Sequence, residues 1–305
     1  MNDCKRIQNL TVPTGCVDAI LDTDAFNEVD DQFAIAYMLL SPERIRTLGI
    51  CAAPFFNRRA TSVADGMEKS YREIHKILSL MDRKEIPTFR GSERFMDNEE
   101  TPVVSEAAQY MADTAARYTP ENPLYIVALG AITNVASAIL LNREAMVNNT
   151  VIVWLGGHSI GYPDTKEFNM RQDFAAARIV FDCGAPLVIL PCKGVVSAFS
   201  TTRPELETWL KGTTPIAEYL MQNAIDEAES YAAGTAWSRT IWDVTAVAWL
   251  LNDDDRFLGS YLMPAPVPEY DGIYAFPPAR HTIRYIYEVR RDALFTSLFQ
   301  KLSDR

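Results

Sequence analysis

The chain has 305 residues, of which 48% are hydrophobic and 23% charged, a balance that fits a globular protein with a sizeable core rather than a disordered or fibrous one. Lys and Arg number 29 against 40 Asp and Glu, for a formal charge of -11; this argues against nucleic acid or an anionic membrane as main partner and favours a neutral or cationic ligand, or a metal. Five scattered cysteines with no CxxC spacing suggest neither a zinc site nor a disulfide framework, and point to a reducing cytoplasm.

The opening segment "MNDCKRIQNLTVPTGC" has no apolar signal-peptide stretch, and no run is long enough to span a bilayer. The expectation is a cytoplasmic protein, neither exported nor membrane-embedded. Short apolar runs then follow at "VDAIL" (17–21), "TLGICAA" (47–53), "LYIVAL" (124–129), "VIVWLG" (151–156) and "PLVILP" (186–191). Runs apolar on both faces suit a buried parallel sheet. Between them lie "DQFAIAYMLL", "ATSVADGMEKSYREIHKILSL", "VSEAAQYMADTAARY", "AITNVASAIL" and "DFAAARIVFD", each long enough for a crossover helix. After Pro191 helices are expected near 203–211, 215–230 and 242–251, strand-like runs at 272–276 and 283–289, and a last helix at 291–302. The alternation predicts an α/β fold with a doubly wound, mainly parallel, Rossmann-like sheet. Additional C-terminal helices would pack beside it. No linker or repeat divides the chain, so one domain over 1–305 is expected.

Ligands of such sheets bind beyond the carboxyl ends of the strands. The first exit holds Asp22, Asp24, Asp30 and Asp31, the exit near 129 reads "GAITN", and the exit near 156 reads "GHSIGYPDTKEFNMRQD". Asp30 and Asp31 stand where a helix begins, so a simple cap accounts for one of them. It does not account for the carboxylate density of the whole loop, which needs positive charge among the acids. Oxygen donors without His or Cys select a hard cation, Ca²⁺ in preference to Mg²⁺. An EF-hand is excluded, since Phe26 and Phe33 occupy its fifth and twelfth positions. Ligands must therefore come from distant segments.

"ILDTDAFNEVDD" resembles the N-terminal signature of the inosine/uridine-preferring nucleoside hydrolases, usually D-x-D-P-G-x-D-D. "VALGAITNVASAI", "EFNMRQDFAAA" and "WDVTAVAWL" resemble three further segments of that family, in order. The resemblance implies a nucleoside hydrolase-type sheet and calcium-dependent cleavage of the N-glycosidic bond of a ribonucleoside or related N-riboside, in purine or pyrimidine salvage. It implies Asp24 as general base toward a water on the metal, and Asp24, Asp31, the Leu129 carbonyl and Asp243 as Ca²⁺ ligands. Asp30, Glu167 and Asn169 would hold ribose hydroxyls, and Asn57 would reach the 2-hydroxyl region. A homo-oligomer, dimer or tetramer, is also implied.

His158 leaves the same sheet edge and is a candidate contact to base or sugar. Two departures from the family pattern stand out. Five residues, "AFNEV", separate Asp24 from Asp30 where the family has three, so the loop must bulge and bring Asn27 or Glu28 toward the site. Trp242 replaces the His that often precedes the late Asp; an indole stacks on a base but donates no proton as a general acid. Leaving-group activation then falls to His158, Tyr231, Trp237 or Arg239, or is not needed. The rival readings are a non-catalytic ribose- or nucleoside-binding protein, and a haloacid dehalogenase-type phosphatase with "LNDDDRF" (251–257) as its late acidic segment.

Overall fold

The computed structural model describes residues 1–304. Its strands are β1 (Val17–Thr23), β2 (Ile45–Ala52), β3 (Thr88–Phe89), β4 (Leu124–Ala128), β5 (Thr150–Leu155), β6 (Leu187–Leu190), β7 (Ser200–Thr201), β8 (Arg239–Thr240), β9 (Leu258–Pro264), β10 (Val267–Pro268), β11 (Tyr274–Ala275) and β12 (Thr282–Val289). Eight of them form one sheet in the order β3-β2-β1-β4-β5-β6-β12-β9, and every pairing in it is parallel except that of β12 with β9. The doubly wound, mainly parallel sheet is thus present.

Each buried strand serves two cores. Ala19 and Leu21 of β1 and Val127 of β4 face one apolar cluster with the helices Asp31–Leu39, Val63–Leu80 and Val244–Trp249. Ile20, Ile126 and Ala128 face the other, with Glu106–Ala115, Thr133–Leu141 and Phe174–Asp182. Alternate residues of a strand point to opposite faces, so a sheet sandwiched between helices reads as an unbroken apolar run. The five early runs fall on β1, β2, β4, β5 and β6 for that reason.

The C-terminal portion differs from expectation. The run at 283–289 is no appendage: β12 inserts beside β6, parallel to it, and β9 pairs antiparallel along its outer edge. β9 buries Leu258 but exposes Tyr261 and Leu262, the uneven burial of an edge strand. Among the described residues no helix is long and apolar enough to cross a membrane.

The chain leaves β1 toward β2 on one side and returns at β4 on the other, so the switch in strand order lies between β1 and β4. The Asp22 backbone is level with Cys51 and Ala128. Loops leaving β1, β4, β5 and β6 therefore gather at one edge of the sheet.

Candidate active site

A cavity of about 270 Å³ opens at that edge. Asp24, Asp30, Leu129, His158, Glu167, Asn169, Trp242 and Asp243, eight of the residues singled out in the sequence, line it. Asp24, Asp30, Asp31 and Asp243 are 1%, 2%, 1% and 4% exposed. Asp30, Asp31 and Asp243 each offer an oxygen such that all lie within 4.8 Å of one another. Asp31 sits behind the lining and accepts the Thr23 hydroxyl.

The simple-cap explanation of Asp30 fails here. Asp30 occupies the N-cap of the helix Asp31–Leu39, yet its side chain makes no capping hydrogen bond. Its Oδ1 is buried without a hydrogen-bond partner, as is Oδ2 of Asp24. Burial raises the pKa of Asp24 well above the carboxylate range, and the charges of Asp31 and Asp30 raise it further. Burial and then Asp30 push Asp31 to about 8; burial and then Glu28 push Asp30 to about 6. Asp243 is raised by burial and by the charges of Asp30 and Asp31. Buried like charges of this kind cost several kcal/mol each unless compensated.

The Arg239 guanidinium beside Asp30 does not balance them. Arg239 Nη2 donates to Glu28 Oε2 at 2.5 Å and stands 3.9 Å from Asp30 Oδ1. Its charge is thus largely taken by Glu28, a residue of the lengthened loop. The donor set fits a hard dication: Asp30, Asp31 and Asp243 would hold it, with Asp24 beside them and only oxygen on offer. Cys192 lines the cavity too, but burial and the charges of Glu167 and Asp243 keep its thiol protonated.

The supporting groups come from the motif segments. Asn134 donates to Asp22 Oδ1 at 2.8 Å and to the Ala52 carbonyl at 3.1 Å, which fastens the exit of β1 to that of β2. Asp22 therefore serves the frame and does not line the cavity, although it stands at the same strand exit as Asp24. Thr133 donates to Asp173 at 2.6 Å, tying the β4 exit to the "EFNMRQD" segment. Glu167 caps the helix Phe168–Gln172, accepting from the backbone N–H groups of Asn169 and Met170 and also from Gly157 at 3.1 Å. Its orientation is thereby fixed while it still faces the cavity. Asn169 Nδ2 donates to the Leu129 carbonyl at 2.6 Å and to the Leu155 carbonyl at 3.0 Å. A carbonyl has two lone pairs, so Leu129 O keeps one available.

Asn57 is the expected site residue that the structure moves away. The bulged loop interposes Asn27, and Asn57 Nδ2 donates to Asn27 Oδ1 at 2.6 Å. Asn27 and Glu28 line the cavity in its place. Of the groups considered for leaving-group activation only His158 lines the cavity: Tyr231 is exposed, Trp237 packs on the core and Arg239 is engaged by Glu28. His158 Nδ1 accepts a long bond from the Lys193 N–H, 3.4 Å, while burial and then the Lys193 charge lower its pKa. A neutral ring accepting at Nδ1 carries its proton on Nε2. The acidic run 253–255 lies in a separate turn, where Asp253 pairs with Arg44, and takes no part in the cavity.

Lys166, Phe168, Arg171, Cys192 and Lys193 also line the cavity and were not anticipated. Cys192 and Lys193 follow β6 directly, so the strand-exit rule, applied to one more strand, finds them.

A family model described as inosine-uridine preferring nucleoside hydrolase matches residues 19–289. The pyrimidine-specific ribonucleoside hydrolase RihA of Klebsiella pneumoniae (strain 342) is 25% identical over 90% of this chain and 95% of its own. That of Citrobacter koseri is 29% identical over 74% and 77%. Among solved structures, a plant nucleoside hydrolase superposes with a TM-score of 0.73 at 20% identity, covering 95% of this chain and 99% of its own. A purine-preferring ribonucleoside hydrolase from Gardnerella vaginalis gives 0.70 at 21% identity, covering 94% and 98%. The chain belongs to the inosine-uridine preferring nucleoside hydrolase family and is a hydrolase of the ribonucleoside N-glycosidic bond.

Proposed function

We propose that the hydrolysis is calcium-dependent and that Asp24 is its general base. The observation that carries this reading is the convergence of four buried carboxylates, two with unpartnered oxygens, at a cavity floor where the adjacent Arg239 guanidinium is already engaged by Glu28. When bound, calcium supplies charge balance to this floor and Lewis acidity at the point of attack.

Asp24 Oδ2, buried and without a partner, takes the proton of the attacking water. Asp30, Glu167 and Asn169 hold the ribose hydroxyls and keep the sugar carbon in line with Asp24. As the bond to the base lengthens, positive charge grows on the ribosyl ring; the surrounding carboxylates stabilise that cation more than the neutral ground state. Trp242 offers its indole face to the base. His158, neutral with its proton on Nε2, donates a hydrogen bond at the rim, toward base or sugar.

The test is reducing-sugar release from uridine, cytidine and inosine, with calcium and with a chelator. Release is expected with calcium, and Asp24→Asn should lower it by roughly 10³-fold. Ribose binding without any release would favour the binding-protein reading instead.

A further inference from the structure

Three cations border the cavity without partners. Lys166, Arg171 and Lys193 all line it. All three are exposed, and none of their side chains forms an ion pair or a hydrogen bond among the described residues. The chain carries a net charge of -11, so carboxylate partners are plentiful over most of its surface. Arg239, deeper in the same region, illustrates the contrast, since Glu28 engages it. Asp164, in the same loop as Lys166, spends Oδ1 on the Lys166 backbone N–H at 2.8 Å and does not pair with its ammonium group.

These side chains are also held. The Lys166 stem lies across the turn joining β10 to β11: a Cβ on Gly272, whose φ is +83, would fall 2.4–3.0 Å from three Lys166 carbons. Thr165 N–H bonds the Gly272 carbonyl at 2.7 Å and fixes the two segments together. Arg171 rests with its Cζ 5.4 Å from the Phe168 ring centre, and the Lys193 ammonium lies 5.8 Å from that of Tyr162. Long side chains that lie along apolar or aromatic surface keep their charged heads in water, directed at whatever enters.

A neutral nucleoside gives these three charges nothing to do. We propose that the preferred substrate is an anionic N-riboside, whose phosphate or carboxylate is bound at the rim by Lys166, Arg171 and Lys193 while the ribose sits on the acidic floor. The inference rests on the hydrolase reading above and names its substrate class. Two sources share this chemistry, a phosphate on the 5-hydroxyl of the ribose and a carboxylate on the base. The arrangement separates charge along the cavity: carboxylates below for the ribosyl cation, cations above for the anion, which also steer it through the negative field of the protein.

The test compares matched pairs in calcium-containing buffer. Rates are measured on uridine against uridine 5-monophosphate and against 5-carboxyuridine. Calorimetric affinities are measured on the uncleavable product pairs, ribose with ribose 5-phosphate and uracil with 5-carboxyuracil. At least one anionic member should exceed its neutral partner by about fivefold or more in both readouts. That advantage should shrink to about twofold or less in the Lys166→Gln/Arg171→Gln/Lys193→Gln variant. The single variants Lys166→Gln and Lys193→Gln, each losing part of it, serve if the triple variant does not fold.

A smaller advantage for both anions overturns the proposal. So does one that survives the triple variant, since the anion would then be held by the floor cation. The two readings fail separately. Cleavage of uridine that depends on Asp24, with no advantage for either anion, sinks only this inference. A product-pair advantage that the triple variant loses, with no substrate cleaved, sinks the hydrolase reading and leaves the rim as an anion-binding site for a ligand that is not turned over.

Discussion

Asp24 and Gly130 are built around one another: a Cβ on Gly130 would lie 2.9 Å from Cγ of Asp24 and 3.1 Å from Cβ of Ala53. The exit of β4 can approach the exit of β1 this closely only because residue 130 has no side chain. The approach also supplies the Leu129 carbonyl and, through Gly130 O, an acceptor for Trp154 Nε1 at 3.1 Å. Gly130→Ala should therefore displace the Asp24 carboxylate while leaving the sheet intact. The expected result is a kcat lower by roughly 10²-fold with native circular dichroism; unchanged kcat would show that Asp24 tolerates the shift.

The pair formed by Glu28 and Arg239 controls the charge beside Asp30. With Glu28 removed, Arg239 keeps Asp30 as its remaining carboxylate neighbour, at 3.9 Å. Glu28→Gln should then weaken calcium binding by roughly tenfold, because an uncompensated cation faces the floor. Glu28→Gln combined with Arg239→Gln should restore most of that affinity. Calcium titration of the two variants decides the matter.

His281 gives the protein a pH response remote from the cavity. Burial first, then the charges of Arg6 and Arg280, lower its pKa from 6.5 to about 4, and its Nε2 is buried without a partner. The unfolded state thus binds a proton that the folded state refuses between those values. The stability contributed by neutral His281 is present above pH 6.5 and is lost as pH falls toward 4. His281→Gln should flatten the decline of Tm across that interval, measured against the parent protein; an identical decline would assign the acid sensitivity to other groups.

Much of the site could be read from the chain because it lies at strand exits, and the strands advertise themselves. β4, β5 and the centre of β1 are buried on both faces, so 19–21, 124–128 and 151–155 read as apolar runs and the polar residues that follow them mark the exits. Asp24 and His158 were found that way, whereas the Leu129 carbonyl entered through the resemblance. Asp243 and Glu167 lack such a signal: one precedes a helix of six residues, the other caps a helix of five. Only the resemblance of whole segments to a family brings them in. Asn57 was misplaced because the lengthened loop, whose bulge the Asp24–Asp30 spacing announces, sets Asn27 against it, a contact that the spacing does not specify. The edge strand β9 was missed since its burial follows neither an unbroken apolar run nor a period of two: two buried residues lead into a largely exposed stretch. Lys166 and Arg171 pass as ordinary loop and helix charges until the fold places them at one cavity.

The most direct test of the central claim is calcium binding by calorimetry to the metal-free protein and to Asp31→Asn and Asp243→Asn. The trio Asp30, Asp31 and Asp243, joined within 4.8 Å, predicts one calcium bound per chain, with a rise in Tm on binding. Each substitution should weaken that affinity by roughly 10²-fold and lower ribose release in parallel. Nucleoside cleavage that proceeds at full rate in a chelator, or calcium affinity that is the same in all three proteins, would contradict the account.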